Sequence, residues 1–376
     1  MLSLDKLESY TREFGEQFIA PITENVDKEG RFPKEAYEAL RQKGFMGLLV
    51  PKEYGGLGGT CLEHAKICFH LGSFDASTAL CYMMHNCATS CIVNFGSQKM
   101  KEEFLPKIAK GEAALALAYS ESGSGTHFGS PEISETKSGS KRILKGRKSF
   151  VTGALNADFY LTYTNSCVKT GAKNNWLVSS KLEKLHHEIQ NWNGFGMRGN
   201  SSMPVQYNDV ELDESLRVGE EGDGENHAGL VVMYFVAGLA AVYSGLGSAA
   251  FANVLAHTKN RKYTNQQAKA LSDIELVRIH LAEIYTKVES SKALTFEGAR
   301  SFVNNEADAA AKIFASRINA TNNVIELCTL AMRLGGGKAY AKFLPLERYL
   351  RDALASQVMA PSLDILKIWL GDALAK

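Results

Sequence analysis

Between Ala228 and Ala256 the chain carries no charged residue. A helix built from that stretch is long enough to cross a bilayer, for which about 20 apolar residues suffice. Its composition argues against lipid exposure. Gly238, Ala240, Ala241, Ser244, Gly245, Gly247 and Ser248 alternate with Val, Leu and Tyr, and no second stretch of this kind follows. Small residues let neighbouring backbones approach closely, so the stretch reads as a helix wholly buried inside a bundle, with no membrane span. The rest of the chain must therefore supply the elements that surround it. With 376 residues, 45% apolar content and 8 prolines, the sequence has material for a large ordered core and two or three domains.

Apolar residues recur at three- and four-residue spacing over Leu7–Phe18, Lys34–Lys43, Cys61–Leu71 and Ala76–Phe95, and Lys101–Ile108 adds a short helix. Near Leu115 the character changes. Ile143–Leu144, Ser149–Thr152, Phe159–Tyr163, Trp176–Ser179 and Pro204–Val210 are short β-branched or aromatic runs between Gly, Asn, Ser and Lys clusters, as in an antiparallel β unit. Val218–Gly229 is a glycine- and acid-rich linker, after which helical spacing returns over Leu230–Lys259, Ile274–Ala299, Asp308–Met332 and Leu363–Leu374. Helices, then strands, then helices predict a multi-domain α+β protein rather than alternating βαβ units. The expected domains are an N-terminal helical one over 1–112, a middle antiparallel β domain over 113–219 and a C-terminal helical bundle over 220–376.

The 42 basic and 41 acidic residues nearly cancel, so overall charge gives no sign of a nucleic-acid partner. Seven cysteines without a CxxC pair fit free thiols in a reducing compartment. The start, Met1-Leu2-Ser3-Leu4-Asp5-Lys6, lacks a basic region followed by an apolar one, and the expected location is cytoplasmic. Cys61, His64 and Cys68 share one helical face, but three ligands at that spacing do not match zinc patterns; the reading is core packing and no metal.

Four segments, in order, resemble the acyl-CoA dehydrogenase family. They are Phe45-Met46-Gly47-Leu48-Leu49-Val50-Pro51-Lys52-Glu53-Tyr54-Gly55-Gly56-Leu57-Gly58; Ser120-Glu121-Ser122-Gly123-Ser124-Gly125-Thr126, similar to the flavin-loop motif TEPGAGS; Lys148-Ser149-Phe150-Val151-Thr152; and Gly335-Gly336-Gly337 followed by Pro345-Leu346-Glu347-Arg348-Tyr349-Leu350-Arg351-Asp352-Ala353. Together they cover essentially the whole chain. The resemblance implies the acyl-CoA dehydrogenase fold with a C-terminal four-helix bundle, an FAD cofactor and a homotetramer. It also implies that Tyr119, Ser120, Gly125, Thr126, Phe150, Thr152 and Ser362 bind the flavin. A Ser/Thr/Gly-rich loop suits that role, offering N–H groups and hydroxyls without bulk. By the same analogy Arg261 reaches the FAD pyrophosphate of a neighbouring subunit, and Gly336 and Gly337 allow close approach to that cofactor. Tyr263-Thr264 departs from the phenylalanine-glycine usual after the arginine.

Dehydrogenation of an acyl thioester needs a carboxylate for the α-proton while hydride goes to the flavin. Relatives carry it as YEGT after the RDA motif; here Met359 and Ala360 stand in place of the tyrosine and glutamate. A second family location, on the apolar helix, holds Ala237. Both bases are therefore missing. The candidate replacements are His85, on the helix that lines the acyl pocket in relatives, and His127, directly after the flavin loop, since a histidine near neutral pKa can exchange protons. Asp364 and Glu121 rank below them. Three readings follow: an oxidoreductase acting on an acyl thioester carried by CoA or a carrier protein; a flavin monooxygenase using reduced flavin and O2; and a non-catalytic flavin-holding component. The implied partners are the acyl carrier and an electron-transfer flavoprotein or flavin reductase.

Overall fold

The computed structural model describes residues 2–127, 129–188, 192–266 and 269–375. Helices α1 (Leu7–Phe14), α2 (Thr23–Glu29), α3 (Lys34–Gln42), α4 (Cys61–Gly72), α5 (Ala76–Phe95) and α6 (Gln98–Ala109) open the chain. Their starts are written in local chemistry. Thr60 and Glu63 form a reciprocal capping box ahead of α4, with Leu62 N donating to Thr60 Oγ1 at 3.2 Å and Thr60 N donating to Glu63 Oε2 at 2.9 Å. Asp75 caps α5 by accepting the Thr78 N–H at 2.7 Å. Every residue of α5 from Ala76 to Ile92 is buried, so this helix is a core element rather than an amphipathic surface one.

Eight strands follow: β1 (Leu115–Ala118), β2 (Ser134–Ser138), β3 (Lys141–Val151), β4 (Phe159–Asn165), β5 (Lys173–Ser179), β6 (Leu185–His187), β7 (Met203–Asp213) and β8 (Arg217–Val218). They form two four-stranded sheets, ordered β1-β4-β5-β8 and β2-β3-β7-β6. The sheets share a core of Ile133, Leu144, Val151, Tyr160, Trp176, Val178, Val205 and Tyr207. The pairings are antiparallel, as expected, except β1 with β4, which run parallel. That exception follows from the route: between β1 and β4 the chain crosses to the other sheet to build β2 and β3, and so it returns in the same direction.

The C-terminal part is a bundle of α7 (Gly224–Asn260), α8 (Glu275–Val303), α9 (Ala309–Tyr340) and α10 (Leu346–Val358), with α11 (Leu363–Ala375) laid against α9. The uncharged stretch lies within α7. Its most apolar 18 residues are 72% buried inside the protein although the helix passes length and apolarity tests for a membrane span. The small residues have a direct use. A Cβ on Gly245 of α7 would lie 2.1 Å from Phe69 O of α4, and one on Gly72 of α4 would lie 2.6 Å from Val242 O of α7. The two helices therefore touch backbone to backbone, which only glycine permits.

Candidate active site

A cavity of about 560 Å³ opens where α5, the ends of β1 and β3, the loop before β7, the first turns of α7 and the last turn of α10 converge. One wall is apolar: Met84 from α5, Leu117 from β1, Val231, Val232 and Phe235 from α7, and Leu354, Val358 and Met359 from α10 and beyond. The polar part of the lining is the Ser/Thr/Gly loop, with Tyr119, Ser120, Ser122, Gly125 and Thr126, joined by Phe150 and Thr152 at the end of β3. Most of the flavin-binding residues expected from sequence thus stand together. Ser362 is tied to them, since its N–H donates to Thr126 Oγ1 at 2.9 Å.

The loop is held from behind by a buried ion pair. Lys148 and Glu121 both have fully buried side chains and contact each other directly. Lys148 Nζ also donates to Tyr163 O at 2.6 Å and to Tyr119 O at 3.3 Å, while Glu121 accepts the backbone N–H groups of Glu132 and Ile133. Burial draws the Lys148 ammonium down to about 8, and the Glu121 carboxylate opposes that shift. Glu121 is therefore spent on shaping the loop. A Cβ on Gly123 would strike the Glu132 carboxylate, whereas Gly125, at φ +53°, faces open space on the cavity side.

These features fit a planar flavin. Phe150 is 62% exposed although aromatic and sits on the cavity rim, and Trp192 meets it edge-on at 6.4 Å. A ring packed on Phe150 would remove that exposure, and the hydroxyls of Ser120, Ser122, Thr126, Thr152 and Ser202 supply the polar donor set such a ring needs.

Neither histidine stands at the cavity, which corrects the expectation from sequence. His85 is fully buried on the far side of α5: Leu115 N donates to its Nδ1 at 3.1 Å, which leaves the proton on Nε2, donated to Met46 O at 3.0 Å. Burial pulls its pKa to about 4, so it is a neutral, doubly bonded core group. His127 is exposed at the surface beside Thr126 and does not line the cavity. Helical spacing put Met84 and His85 on neighbouring faces, and it is Met84 that points in. Cys61, His64 and Cys68 lie in the core, with His64 Nε2 bonded to Tyr234 O at 3.2 Å, and no metal-binding group occurs among the described residues.

Ala360 lines the cavity and Ala237 is buried in α7 outside its lining. Among the described lining residues Glu121 is the sole carboxylate. Arg261 and Gly336–Gly337 are also outside this cavity. Arg261 follows the last turn of α7, where burial and then the charges of Lys338, next to Gly337 in the chain, and of Arg261 lower the pKa of His257. Sequence reasoning missed the loop before β7, which contributes Trp192, Phe195, Met197, Asn200 and Ser202. Its signal was the Trp192-Asn193-Gly194-Phe195-Gly196 cluster, two aromatics between glycines with no strand or helix period.

Comparison with known proteins settles the kinship. The family model for the acyl-CoA dehydrogenase N-terminal domain matches residues 4–112, and that for the C-terminal domain matches residues 233–374. The chain belongs to the acyl-CoA dehydrogenase family. This family member is thus a flavin oxidoreductase by kinship. It is similar to the 3-(aryl)acrylate reductase of Clostridium sporogenes, with 28% identity over 92% of this chain and 91% of that one. Its fold superimposes on butyryl-CoA dehydrogenase from Megasphaera elsdenii with a TM-score of 0.93, 22% identity and coverage of 100% of this chain and 99% of that one. The FAD complex of PigA gives a TM-score of 0.91, with 20% identity and coverage of 100% and 98%.

Proposed function

We propose that this acyl-CoA dehydrogenase family member is an FAD-dependent oxidoreductase that acts on an acyl thioester carried by CoA or a carrier protein. The observation that carries the reading is the mixed lining of one cavity, a hydroxyl- and glycine-rich loop and the exposed Phe150 together with aliphatic residues of α5, β1, α7 and α10. FAD bound there would accept hydride at its N5. Phe150 would pack on the ring, and Ser120, Thr126 and Thr152 would donate to its polar edge. Met84, Leu117, Val231, Val232 and Phe235 would hold the acyl chain dry. Completion of the cofactor site by another copy, in a homotetramer, is part of the proposal; the exposed Tyr340 (85%) and Phe343 (78%), which follow Gly336 and Gly337 in the chain, support it. An electron-transfer flavoprotein or a flavin reductase would be the redox partner, and the cytoplasm is the proposed location. The test is anaerobic mixing of the flavin-loaded protein with a panel of acyl thioesters; absence of flavin bleaching with every member overturns the reading.

One observation favours a second reading, a monooxygenase on the same scaffold. Glu121, the carboxylate at the cavity, is committed to Lys148 and two backbone N–H groups, and Ala360 cannot accept a proton. A reaction that needs no resident base suits such a lining. Incorporation of labelled oxygen into a thioester by the reduced protein would establish it; release of hydrogen peroxide alone would exclude it.

A further inference from the structure

Arg317 of α9 lies inside the C-terminal bundle with 1% of its surface exposed. Its Nη1 contacts Thr321 Oγ1, its Nη2 donates to Ser356 O at 2.8 Å, and its guanidinium lies 4.8 Å from the Tyr243 ring centroid. No carboxylate pairs with it among the described residues. Burial alone lowers its pKa to about 10. Taking a cation out of water costs several kcal/mol, roughly, unless an opposite charge accompanies it. The π face of Tyr243 and the carbonyl end of α10 offset part of that cost.

Three polar atoms at this spot lack any hydrogen-bond partner: Arg317 Nε, Tyr243 Oη and Ser356 Oγ. All three residues are buried, at 1%, 0% and 0% exposure. The Nε–H can only donate, and each hydroxyl carries a proton of its own. A buried cation with no carboxylate partner, whose Nε–H can only donate, calls for an acceptor with negative charge, and the two unpartnered hydroxyls can turn their protons to it. Asp352, one turn before Ser356 on α10, is not that acceptor: its Oδ1 accepts the Met197 N–H at 2.6 Å, and none of the three atoms has a hydrogen-bond partner. Another copy of the chain cannot reach in, since the site is closed within a single chain. None of the three residues lines the cavity described above, and their burial inside the bundle limits any ligand to a small one.

We propose that a monovalent anion of halide size binds between Arg317 Nε, Tyr243 Oη and Ser356 Oγ. Water could satisfy the three groups, accepting from Nε–H and donating to the hydroxyls, but would leave the charge uncompensated; a halide can accept all three protons and neutralises the charge. The site has a place in the architecture. Ala355, Val358, Met359 and Ala360 line the substrate cavity, and Ser356 belongs to the same turn. The anion would fasten that turn to α7 and α9 from behind, without entering the cavity.

Bromide is the probe. Crystals of the full flavin-loaded protein grown in sodium bromide should give an anomalous peak in contact with all three atoms. The melting midpoint should be higher in sodium chloride than in sodium gluconate at equal ionic strength. Tyr243→Phe keeps the ring over Arg317 and removes one donor, so the chloride needed for half of that shift should rise roughly tenfold. Arg317→Met should abolish the shift. A water molecule in the density without an anomalous peak overturns the proposal. So do equal midpoints in the two salts, or an unchanged chloride response in Tyr243→Phe.

Discussion

Asp352 Oδ1 accepts the Met197 N–H at 2.6 Å, joining the middle of α10 to the aromatic loop of the β domain across the rim of the cavity. The loop is shaped for this contact. Met197 has φ +51°, and a Cβ on Gly196 would lie 2.2 Å from Arg351 O, so the backbone presses against α10. Asp352 is 3% exposed, and burial pushes its carboxyl up to about 7, against the lowering effect of the Met197 N–H. A folded-state pKa above the unfolded one means the folded protein holds the proton more tightly. That stability is fully present below about pH 4 and is lost as pH rises through 7.

Asp352→Asn keeps the acceptor oxygen and removes the ionisation. The variant should be more stable than the parent at pH 8, by up to roughly 4 kcal/mol if the whole shift is relieved. Urea unfolding at pH 5 and pH 8 checks this, and equal differences at the two pH values would contradict it.

His85 makes the opposite contribution. Its pKa, lowered to about 4, means that stability is present above the ordinary imidazole value and is lost as pH falls from about 6.5 to 4. His85→Gln should lower stability at pH 7 by about 1–3 kcal/mol through lost buried hydrogen bonds, and should weaken the acid-induced loss. Turnover per folded molecule should stay within about twofold of the parent, because the ring does not reach the cavity. A large fall in turnover with unchanged stability would return His85 to the chemistry.

How much of this was legible in the sequence depends on what each residue had to signal. The domain order was, because period 3.6 gives way to short β-branched runs and then returns. The buried character of α7 was too, since Gly245 and Ala241 make poor lipid-facing residues and good helix contacts. Helix α10 gives no clear apolar period in the sequence, because Glu347, Arg348, Arg351 and Asp352 break its apolar stripe. Three of them are tied up, Arg351 in two-pronged ion pairs with Asp27 and with Glu347, and Asp352 by Met197 N. The site was legible as a list of loops but not as directions. Met84 and His85 are adjacent in sequence, and only the packing of α5 against β1 and Met46 decides which one meets the cavity.

Lys148 and Glu121 separate loop shape from loop chemistry. Lys148→Met leaves a buried carboxylate without its cation, which should cost about 3–5 kcal/mol. The flavin loop loosens with it, and the protein should purify with less bound flavin. Phe150→Ala is the complement. Phe150 is 62% exposed, so folding stability should change by less than about 0.5 kcal/mol while flavin affinity falls roughly tenfold. Chemical unfolding of the flavin-free protein and fluorescence titration with FAD distinguish the two; a Phe150→Ala protein that binds FAD as tightly as the parent would remove that side chain from the site.

Ala360→Glu tests the missing base itself. Ala360 lines the cavity immediately after Met359, at the position where the family motif carries its glutamate. The aliphatic lining from Val358 and Met359 would raise the pKa of a carboxyl placed there, and a base whose pKa moves towards neutrality gains strength without losing its ionised fraction at pH 8. If hydride transfer in the parent is limited by the lack of a proton acceptor, A360E should bleach its flavin with acyl thioesters at least about a hundredfold faster, the usual scale of general-base assistance. The gain should follow a single ionisation, vanishing as pH falls through the pKa of the new carboxyl. A360Q serves as the control, having the same size without the basicity. Equal bleaching rates for A360E and A360Q would mean that α-proton removal is not the step the parent lacks, and would move the weight of evidence to the oxygen-dependent reading.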